Sequence, residues 1–155
     1  MDIHIRDMQP DDCEKIAEIE RLCFSRPLSS EGFAKELSNP NSVTLIAEAD
    51  GEIIGYANLW NICGEVSLNN IAVIEEHRSK GAGTALLQEA LKRFTDCEFI
   101  TLEVRSSNIG AQKLYKKFGF KQVGRRRNFY DAPTEDALLM TRYIKEYEDD
   151  RRTDL

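Results

Sequence analysis

The sequence predicts an α+β or α/β fold built on a mixed sheet, and three local patterns support that prediction. Asp50-Gly51, between apolar runs at residues 43–49 and 52–60, is the typical two-residue turn of an antiparallel hairpin. Residues 66–73 form a strand candidate that precedes a basic glycine turn and then an amphipathic helical segment. Residues 99–104 form a buried strand candidate, which precedes another helical segment. The complete element order that we predict is βααβββαβαββ.

Local composition indicates the elements of the first half. Ile3-His4-Ile5 alternates as a first strand, and Pro10-Asp11-Asp12 favours the start of a helix. Ser29-Ser30-Glu31 predicts the N-terminal cap of a second, shorter helix that Asn39-Pro40 ends. Residues 61–64 are expected to turn into the next strand. One stripe at helical spacing marks the first helix: Cys13, Ile16, Ala17, Glu20 and Cys23.

The second half contains two predicted helices and three predicted strands. Residues 108–118 are predicted to form a helix that stops at Gly119 in the left-handed conformation. Residues 120 to about 126 and residues 137–143 are predicted to form the last two strands. The earlier helix, after the glycine turn, has one apolar face: Leu86, Leu87, Ala90, Leu91 and Phe94.

Size and composition favour one globular domain over residues 1–144, followed by a charged tail at 145–155 that we expect to be frayed or helical. The chain has 155 residues, of which 41% are hydrophobic and 31% charged. No apolar run approaches the ~20 residues of a membrane span, and residues 1–6 lack signal-peptide features. A net charge of −6 argues against direct nucleic-acid binding and suits a cationic partner.

Cysteine and histidine usage favours a cytoplasmic protein without a metal site. The four cysteines have no C-x-x-C spacing, and the two histidines are far from completing a zinc-ligand pattern. We therefore expect reduced thiols and no metal. The residues concerned are Cys13, Cys23, Cys63, Cys97, His4 and His77.

The most informative segment is the hexamer Arg78-Ser79-Lys80-Gly81-Ala82-Gly83. Its glycines allow a tight turn and a close approach of the backbone to a ligand. The helix that follows directs unpaired N–H groups and the positive end of its dipole at the loop, an arrangement that binds phosphate. Arg78 and Lys80 add positive charge. The alternative is an ordinary turn with surface charges.

Two familiar nucleotide-binding patterns do not fit this loop. A Walker loop requires Lys and then Ser or Thr after its second glycine, whereas Thr84-Ala85 follows Gly83. A dinucleotide fingerprint requires a third glycine at position 86, which is Leu86.

The pattern that does fit is R/Q-x-x-G-x-G/A after a strand, and the chain thereby resembles the GNAT superfamily of N-acetyltransferases. The resemblance covers about residues 3–144. Within the superfamily the chain resembles most specifically the RimI-type enzymes, which acetylate the N-terminal alanine of a small-subunit ribosomal protein. The residues that carry the narrower resemblance lie at 70–73, 102–105, 108, 111–115, 118–120, 126–130 and 135–140.

The resemblance implies a GNAT fold, with a mostly antiparallel mixed sheet of six to seven strands that splays between the fourth and fifth. It also implies that acetyl-CoA is bound through the pyrophosphate loop from Arg78 to Thr84. Ile71, Ala72 and Val73 would hold pantetheine through their backbone, and an N–H near Val73 would polarise the thioester carbonyl. Asn108 would bond the pantetheine amide, although Asn at this position is also an ordinary helix cap.

Glu103 is the candidate general base for deprotonating the acceptor amine. Strand alternation places it opposite the face of Ile100, Leu102 and Val104. A carboxylate in a central strand is costly unless it is paired or faces a cleft, and burial there would raise its pKa. The alternative is a salt bridge to Arg105 or to a neighbouring strand. The position matches the catalytic glutamate of RimI-type enzymes.

Tyr115 is the candidate acid for the departing thiolate, by its match to the tyrosine of the family. It falls on the inward stripe of its helix, where a buried hydroxyl needs a partner. The alternative is a core tyrosine bonded to a carbonyl. A cysteine acyl-enzyme route is not favoured, because no cysteine lies in either motif.

The acceptor is the least determined part of the prediction. The resemblance implies a ribosomal small-subunit protein N-terminus, modified in a ternary complex by a monomer or weak dimer. Leu28 after Pro27, where relatives often have Trp, and the short stretch at residues 131–134 depart from the family in segments that would flank the acceptor. Two alternatives are an acetyltransferase for small amines or antibiotics, and a non-catalytic coenzyme A-binding module.

Overall fold

The computed structural model describes residues 2–144, and the predicted tail at 145–155 lies outside the described residues. Seven strands and four α-helices alternate much as the sequence predicts. They are β1 (Ile3–Asp7), α1 (Cys13–Cys23), α2 (Ser30–Ser38), β2 (Ser42–Ala49), β3 (Glu52–Ile62), β4 (Glu65–Val73), α3 (Ala82–Arg93), β5 (Phe99–Arg105), α4 (Ile109–Lys117), β6 (Lys121–Tyr130) and β7 (Glu135–Tyr143). No helix within residues 2–144 is long and apolar enough to cross a membrane.

The strands form one seven-stranded sheet in the order β1-β2-β3-β4-β5-β7-β6, which confirms the predicted mixed sheet. The pairs β1–β2, β2–β3, β5–β7 and β6–β7 are antiparallel. The pair β4–β5 is parallel, with a register that runs from Glu65–Phe99 to Leu68–Leu102. Because β4 continues to Val73 and β5 to Arg105, their ladder ends before the carboxyl ends of both strands.

By its contacts the chain divides into two compact units. Among the described residues, the first unit contains residues 2–60 and Asn69–Arg93, and the second contains Asn61–Leu68 and residues 94–144. Strand β4 therefore contributes its first part to the second unit and its second part to the first.

Local chemistry explains the elements of the first unit. The Ser29 hydroxyl caps α2 by accepting a bond from the Gly32 N–H at 3.1 Å. Asp50 and Gly51 have φ values of +53° and +77°, so the predicted tight hairpin between β2 and β3 is confirmed. Helices α1 and α2 pack their apolar faces on the sheet in a core that includes Ile16, Phe33, Ile46 and Tyr56.

In the second unit, β5 alternates between buried and more exposed residues. Ile100, Leu102 and Val104 are buried, as the sequence predicts. Strand β6 continues to Tyr130, beyond the predicted end near residue 126, because an irregularity at Asn128 interrupts the pairing without ending the strand. Asn128 has a φ of +52°, and its N–H donates to the Asp136 carboxylate at 2.9 Å.

Candidate active site

The basic glycine loop lies in the first unit, directly before α3. Ser79 and Gly81 have φ values of +64° and +96°, and the helix begins at Ala82. Lys80 is exposed at the tip of the loop. The Arg78 guanidinium is held at the end of β4, since its Nε donates to the Val73 carbonyl at 2.9 Å. The loop therefore has one exposed cation, Lys80, and a second cation, Arg78, that is hydrogen-bonded to the preceding strand.

The two loop glycines have different structural roles. Gly81 needs its positive φ, and a Cβ built there would find no atom within 4 Å, so the loop surface at this point is open. Gly83 lies one residue inside α3 and is not among the residues with positive φ. The tight turn that the glycines predict therefore uses Gly81, whereas Gly83 is already part of the helix. Thr84 lies on the same first turn.

The three predicted pantetheine-binding residues close β4. Ala72 is buried, and Ile71 and Val73 are half-buried. A Cβ on Gly55 of β3 would lie 2.6 Å from the Ala72 carbonyl oxygen, so Gly55 permits the two backbones to approach closely. The end of β4 is thus fixed from the β3 side by a glycine that sequence analysis did not single out.

A pocket of about 380 Å³ opens in the first unit, beside the residues that precede Ile71. The side chains around it come from α1, α2, the segment between them, β3 and β4. They combine two carboxylates, one guanidinium, three amides and four apolar or aromatic side chains. The lining residues are Glu20, Arg26, Pro27, Leu28, Phe33, Glu36, Asn58, Trp60, Asn69 and Asn70.

Glu103 lies in the second unit. Its side chain is 34% exposed, so the strand does not bury this carboxylate. The carboxylate faces Arg126 of β6, with 3.4 Å between Glu103 Oε1 and Arg126 Nε. An ion pair with a neighbouring strand was the structural alternative, and the pair that forms reaches one strand further, because β7 lies between β5 and β6. The predicted pairing with Arg105 is absent from the described residues, because Arg105 Nη1 binds Glu135 Oε1 at 3.1 Å.

The end of α4 fixes Tyr115. The Phe120 N–H donates to the Tyr115 carbonyl at 3.0 Å, and the Gly119 N–H donates to the Lys116 carbonyl at 3.0 Å. With a Gly119 φ of +87°, these bonds form a Schellman motif and confirm the predicted helix stop. The Phe120 ring packs on the Tyr115 ring with centroids 5.8 Å apart.

The Tyr115 hydroxyl itself has no hydrogen-bond partner among residues 2–144, although the residue is buried. Burial, and secondarily the neighbouring Tyr130, raises the pKa of Tyr115 well above its usual range. The hydroxyl therefore stays protonated at physiological pH. Of the predicted partners for a core tyrosine, a backbone carbonyl is not among its described contacts.

Tyr130 and Arg105 lie next to the candidate catalytic residues of the second unit. Sequence analysis considered Arg105 only as a salt-bridge partner of Glu103 and gave Tyr130 no individual role. Burial, and then the Glu103 carboxylate, raises the pKa of Tyr130 to about 12. The Arg105 guanidinium lies 4.5 Å from the Tyr130 ring centroid. It also donates to the carbonyls of Asp131 and Pro133 at 2.9 and 3.0 Å, so it holds the turn between β6 and β7.

Asn108 is the cap of α4, where its side-chain oxygen accepts the Ala111 N–H at 3.1 Å. The ordinary cap interpretation is confirmed, and the side-chain amide remains on the surface. Among the predicted cofactor-binding residues only Asn108 belongs to the second unit, together with both candidate catalytic residues.

Comparison with known proteins agrees with this fold. Residues 13–120 match the acetyltransferase (GNAT) family, and the chain belongs to that family. It is 38% identical over 151 residues to an N-alpha-acetyltransferase of Sulfurisphaera tokodaii, with 88% of this chain and 90% of that protein covered. It is 32% identical over 138 residues to the [ribosomal protein bS18]-alanine N-acetyltransferase of Haemophilus influenzae, with 86% and 93% covered.

A solved structure shows the same likeness. The crystal structure of the ribosomal-protein-S18-alanine N-acetyltransferase from Escherichia coli superposes with a TM-score of 0.84 at 28% identity, over 92% of this chain and 94% of that one. The resemblance to GNAT enzymes of RimI type is thereby confirmed, and the chain is an N-acetyltransferase by family.

Proposed function

We propose that this chain transfers the acetyl group of acetyl-CoA to the N-terminal α-amine of a protein, most specifically to the N-terminal alanine of a ribosomal small-subunit protein in the cytoplasm. The observation that carries the proposal is the similarity to N-alpha-acetyltransferases and bS18-alanine N-acetyltransferases over nearly the whole chain. The retention of Glu103 and Tyr115 supports it.

The first unit would supply the acetyl-CoA site. The open surface at Gly81 and the start of α3 at Ala82 fit a pyrophosphate, because a helix N-terminus offers unpaired N–H groups. Lys80 adds charge. The backbone of Ile71–Val73 would bind pantetheine, as an added strand does. The resemblance to the family also assigns Asn108 to the pantetheine amide.

The second unit would supply proton transfer. In the proposed reaction the acceptor nitrogen attacks the thioester carbon, a C–N bond forms and the C–S bond breaks. Glu103 takes the proton that the amine loses, directly or through water, and Tyr115 donates its proton to the departing sulfur. The exposure of Glu103 suits this role, since its carboxylate can be reached by an acceptor. The Tyr115 hydroxyl is protonated at neutral pH, so it holds a proton when the thiolate forms.

An α-amine suits this site better than a lysine side chain. The α-amino group has a pKa of about 8 and lysine one of about 10.4, so a larger fraction of the α-amine is neutral at pH 7. The net charge of −6 favours an acceptor with basic residues after its N-terminus.

A thiol-release assay with purified protein tests the proposal. The panel contains N-terminal peptides such as an Ala-Arg peptide, the same peptide with a blocked N-terminus and an internal lysine, polyamines and aminoglycosides. We expect coenzyme A release with the free Ala-Arg peptide, and mass spectrometry should place the acetyl group on its α-amine. Faster modification of lysine, polyamines or aminoglycosides would contradict the acceptor assignment but leave acetyl transfer intact. No release with any amine would overturn the catalytic proposal.

A further inference from the structure

Glu20 is a buried carboxylate that the proposed chemistry does not use. It lies on α1, is 2% exposed, and lines the pocket of the first unit. Its Oε1 accepts hydrogen bonds from the Tyr56 hydroxyl and from Asn70 Nδ2, the latter at 3.3 Å, and its Oε2 accepts the Leu28 N–H at 2.8 Å. One side chain thus connects α1 to β3, to β4 and to the segment before α2.

The cost of burying a carboxylate makes these contacts selective. An ionised carboxylate only accepts hydrogen bonds, so every group that it contacts must present a donor. The Tyr56 hydroxyl remains protonated here, because burial, followed by the Glu20 interaction, raises the pKa of Tyr56 far above its usual range. The Tyr56 hydroxyl and the Leu28 N–H can only donate to Glu20, whereas the Asn70 side chain carries both a donor and an acceptor.

An asparagine amide can rotate to present either its NH₂ or its oxygen. Next to Glu20 only the NH₂ can face the carboxylate, so the Asn70 oxygen is directed away from it, and Asn70 is itself a lining residue of the pocket. The bond to Glu20 therefore occupies the Asn70 NH₂ and leaves the Asn70 oxygen as the atom that could accept a hydrogen bond from a pocket ligand. Asn70 directly precedes Ile71–Val73, the segment proposed for the thioester.

We propose that Glu20 is a positioning residue for the acceptor: it fixes the Asn70 amide so that its oxygen accepts an N–H of the incoming peptide, and it anchors Leu28 in the pocket wall. The ligand class is an N–H donor of the acceptor chain, its ammonium or first amide. This inference rests on the proposed function and adds to it the residues that bind and position the acceptor peptide.

The test compares Glu20→Gln with the wild-type enzyme, using an Ala-Arg peptide and acetyl-CoA. A glutamine can present its own NH₂ to Asn70, which allows the Asn70 amide to reverse and removes the acceptor from the pocket. We expect KM for the peptide to rise about ten-fold, the effect of one lost hydrogen bond, while kcat and KM for acetyl-CoA change less than about two-fold.

Two further variants separate positioning from folding. Tyr56→Phe removes another donor to the same carboxylate but leaves Asn70 and Leu28 in place, so peptide KM should stay at the wild-type value. Adding Asn70→Asp to Glu20→Gln reverses the donor and acceptor of the pair and keeps an oxygen in the pocket. The double variant should therefore recover most of the peptide KM. Equal increases in both KM values, or a rise in Tyr56→Phe as large as in Glu20→Gln, would overturn the proposal.

Hydrogen exchange gives a readout that does not depend on activity. Slow exchange of the Leu28 amide is expected in the wild-type chain, in Tyr56→Phe and in Glu20→Gln, because the glutamine oxygen takes the place of Oε2. Glu20→Met has no acceptor and should lose this protection, and unchanged exchange in Glu20→Met would contradict the anchoring role. If the wild type acetylates none of the peptides, the proposed function fails by itself, whereas the exchange result still decides whether Glu20 holds Leu28.

Discussion

Two glutamates, each with tyrosines nearby, occupy opposite physical situations in this molecule. In the first unit Glu20 is buried and accepts hydrogen bonds from the Tyr56 hydroxyl, Asn70 and the Leu28 N–H, so its carboxylate is fully engaged within the fold. In the second unit Glu103 is part-exposed beside a solvent-exposed arginine, and the buried Tyr115 hydroxyl has no partner within residues 2–144. A satisfied pair stabilises and positions, whereas an accessible base and an uncommitted acid are available for proton transfer.

The largest effect is expected on the kcat/KM of the enzyme when the accessible glutamate, Glu103, is replaced. Glu103→Gln keeps the shape of the side chain but cannot accept the amine proton, so kcat/KM should fall about 10²–10⁴-fold. Binding of acetyl-CoA, measured by calorimetry, should hardly change. Glu65→Gln, at the exposed start of β4, is the control for losing a surface carboxylate and should keep full activity. A fully active Glu103→Gln enzyme would return Glu103 to a structural role.

The tyrosines sharpen the same contrast. Tyr115→Phe should lower kcat by about 10²-fold, the lower end for a lost general acid, because a thiolate is a good leaving group. Its raised pKa means that the hydroxyl stays protonated as pH rises, so the ratio of wild-type to variant kcat should be constant from pH 7 to 9.

Tyr56→Phe is the matched variant on the other side of the comparison. It should keep its turnover and lower the free energy of unfolding by about 1–2 kcal/mol, because it removes a donor to a buried carboxylate. Denaturation curves with activity per folded molecule check both variants. Large destabilisation of Tyr115→Phe with normal turnover would indicate a core tyrosine instead.

Gly81 of the glycine loop and Gly51 of the β2–β3 turn form another matched pair of variants, for which a smaller effect is expected. Gly81 and Gly51 both have positive φ values and open space where a Cβ would lie, so Gly81→Val and Gly51→Val should cost comparable backbone strain, about 1–3 kcal/mol. Only Gly81→Val should weaken acetyl-CoA binding, by about ten-fold or more, because its side chain would occupy the pyrophosphate surface. Equal acetyl-CoA affinities in calorimetry would remove the phosphate-loop assignment.

The smallest effect is expected for the ion pair of Glu103. Arg126 and Glu103 are both substantially exposed, so Arg126→Gln should change the free energy of unfolding by less than about 0.5 kcal/mol. Urea denaturation of the variant beside the wild type checks this value. A loss above about 2 kcal/mol would show that the pair is structural and that Glu103 is less available than proposed.

The sequence predicts well those features that neighbouring residues determine. The Asp50-Gly51 hairpin and the Gly119 helix stop follow from backbone freedom at single positions, and both are present. The Ser29 cap is equally local. The position of the glycine loop is also predicted. The sequence does not show which of its glycines lies in the turn, and Gly83 is part of α3.

Features that depend on distant residues could not be predicted in this way. Glu103 alternates as expected, but its exposure and its pairing depend on β6, which the register of β7 brings near. Glu20 reads as one member of a helical stripe, because its partners Leu28, Tyr56 and Asn70 are up to fifty residues away. The different burial and partners of the two glutamates therefore could not be predicted from the sequence, because the residues that determine them are distant along the chain.

The most direct test of this difference measures two quantities on two isosteric variants, Glu103→Gln and Glu20→Gln. Steady-state kinetics with an Ala-Arg peptide gives kcat, and chemical denaturation gives the free energy of unfolding. We predict that Glu103→Gln loses kcat with unchanged stability, while Glu20→Gln loses about 1–3 kcal/mol of stability and keeps kcat per folded molecule within about two-fold. A loss of kcat in Glu20→Gln as large as in Glu103→Gln, or a stability loss confined to Glu103→Gln, would contradict the assignment of a positioning and a catalytic glutamate.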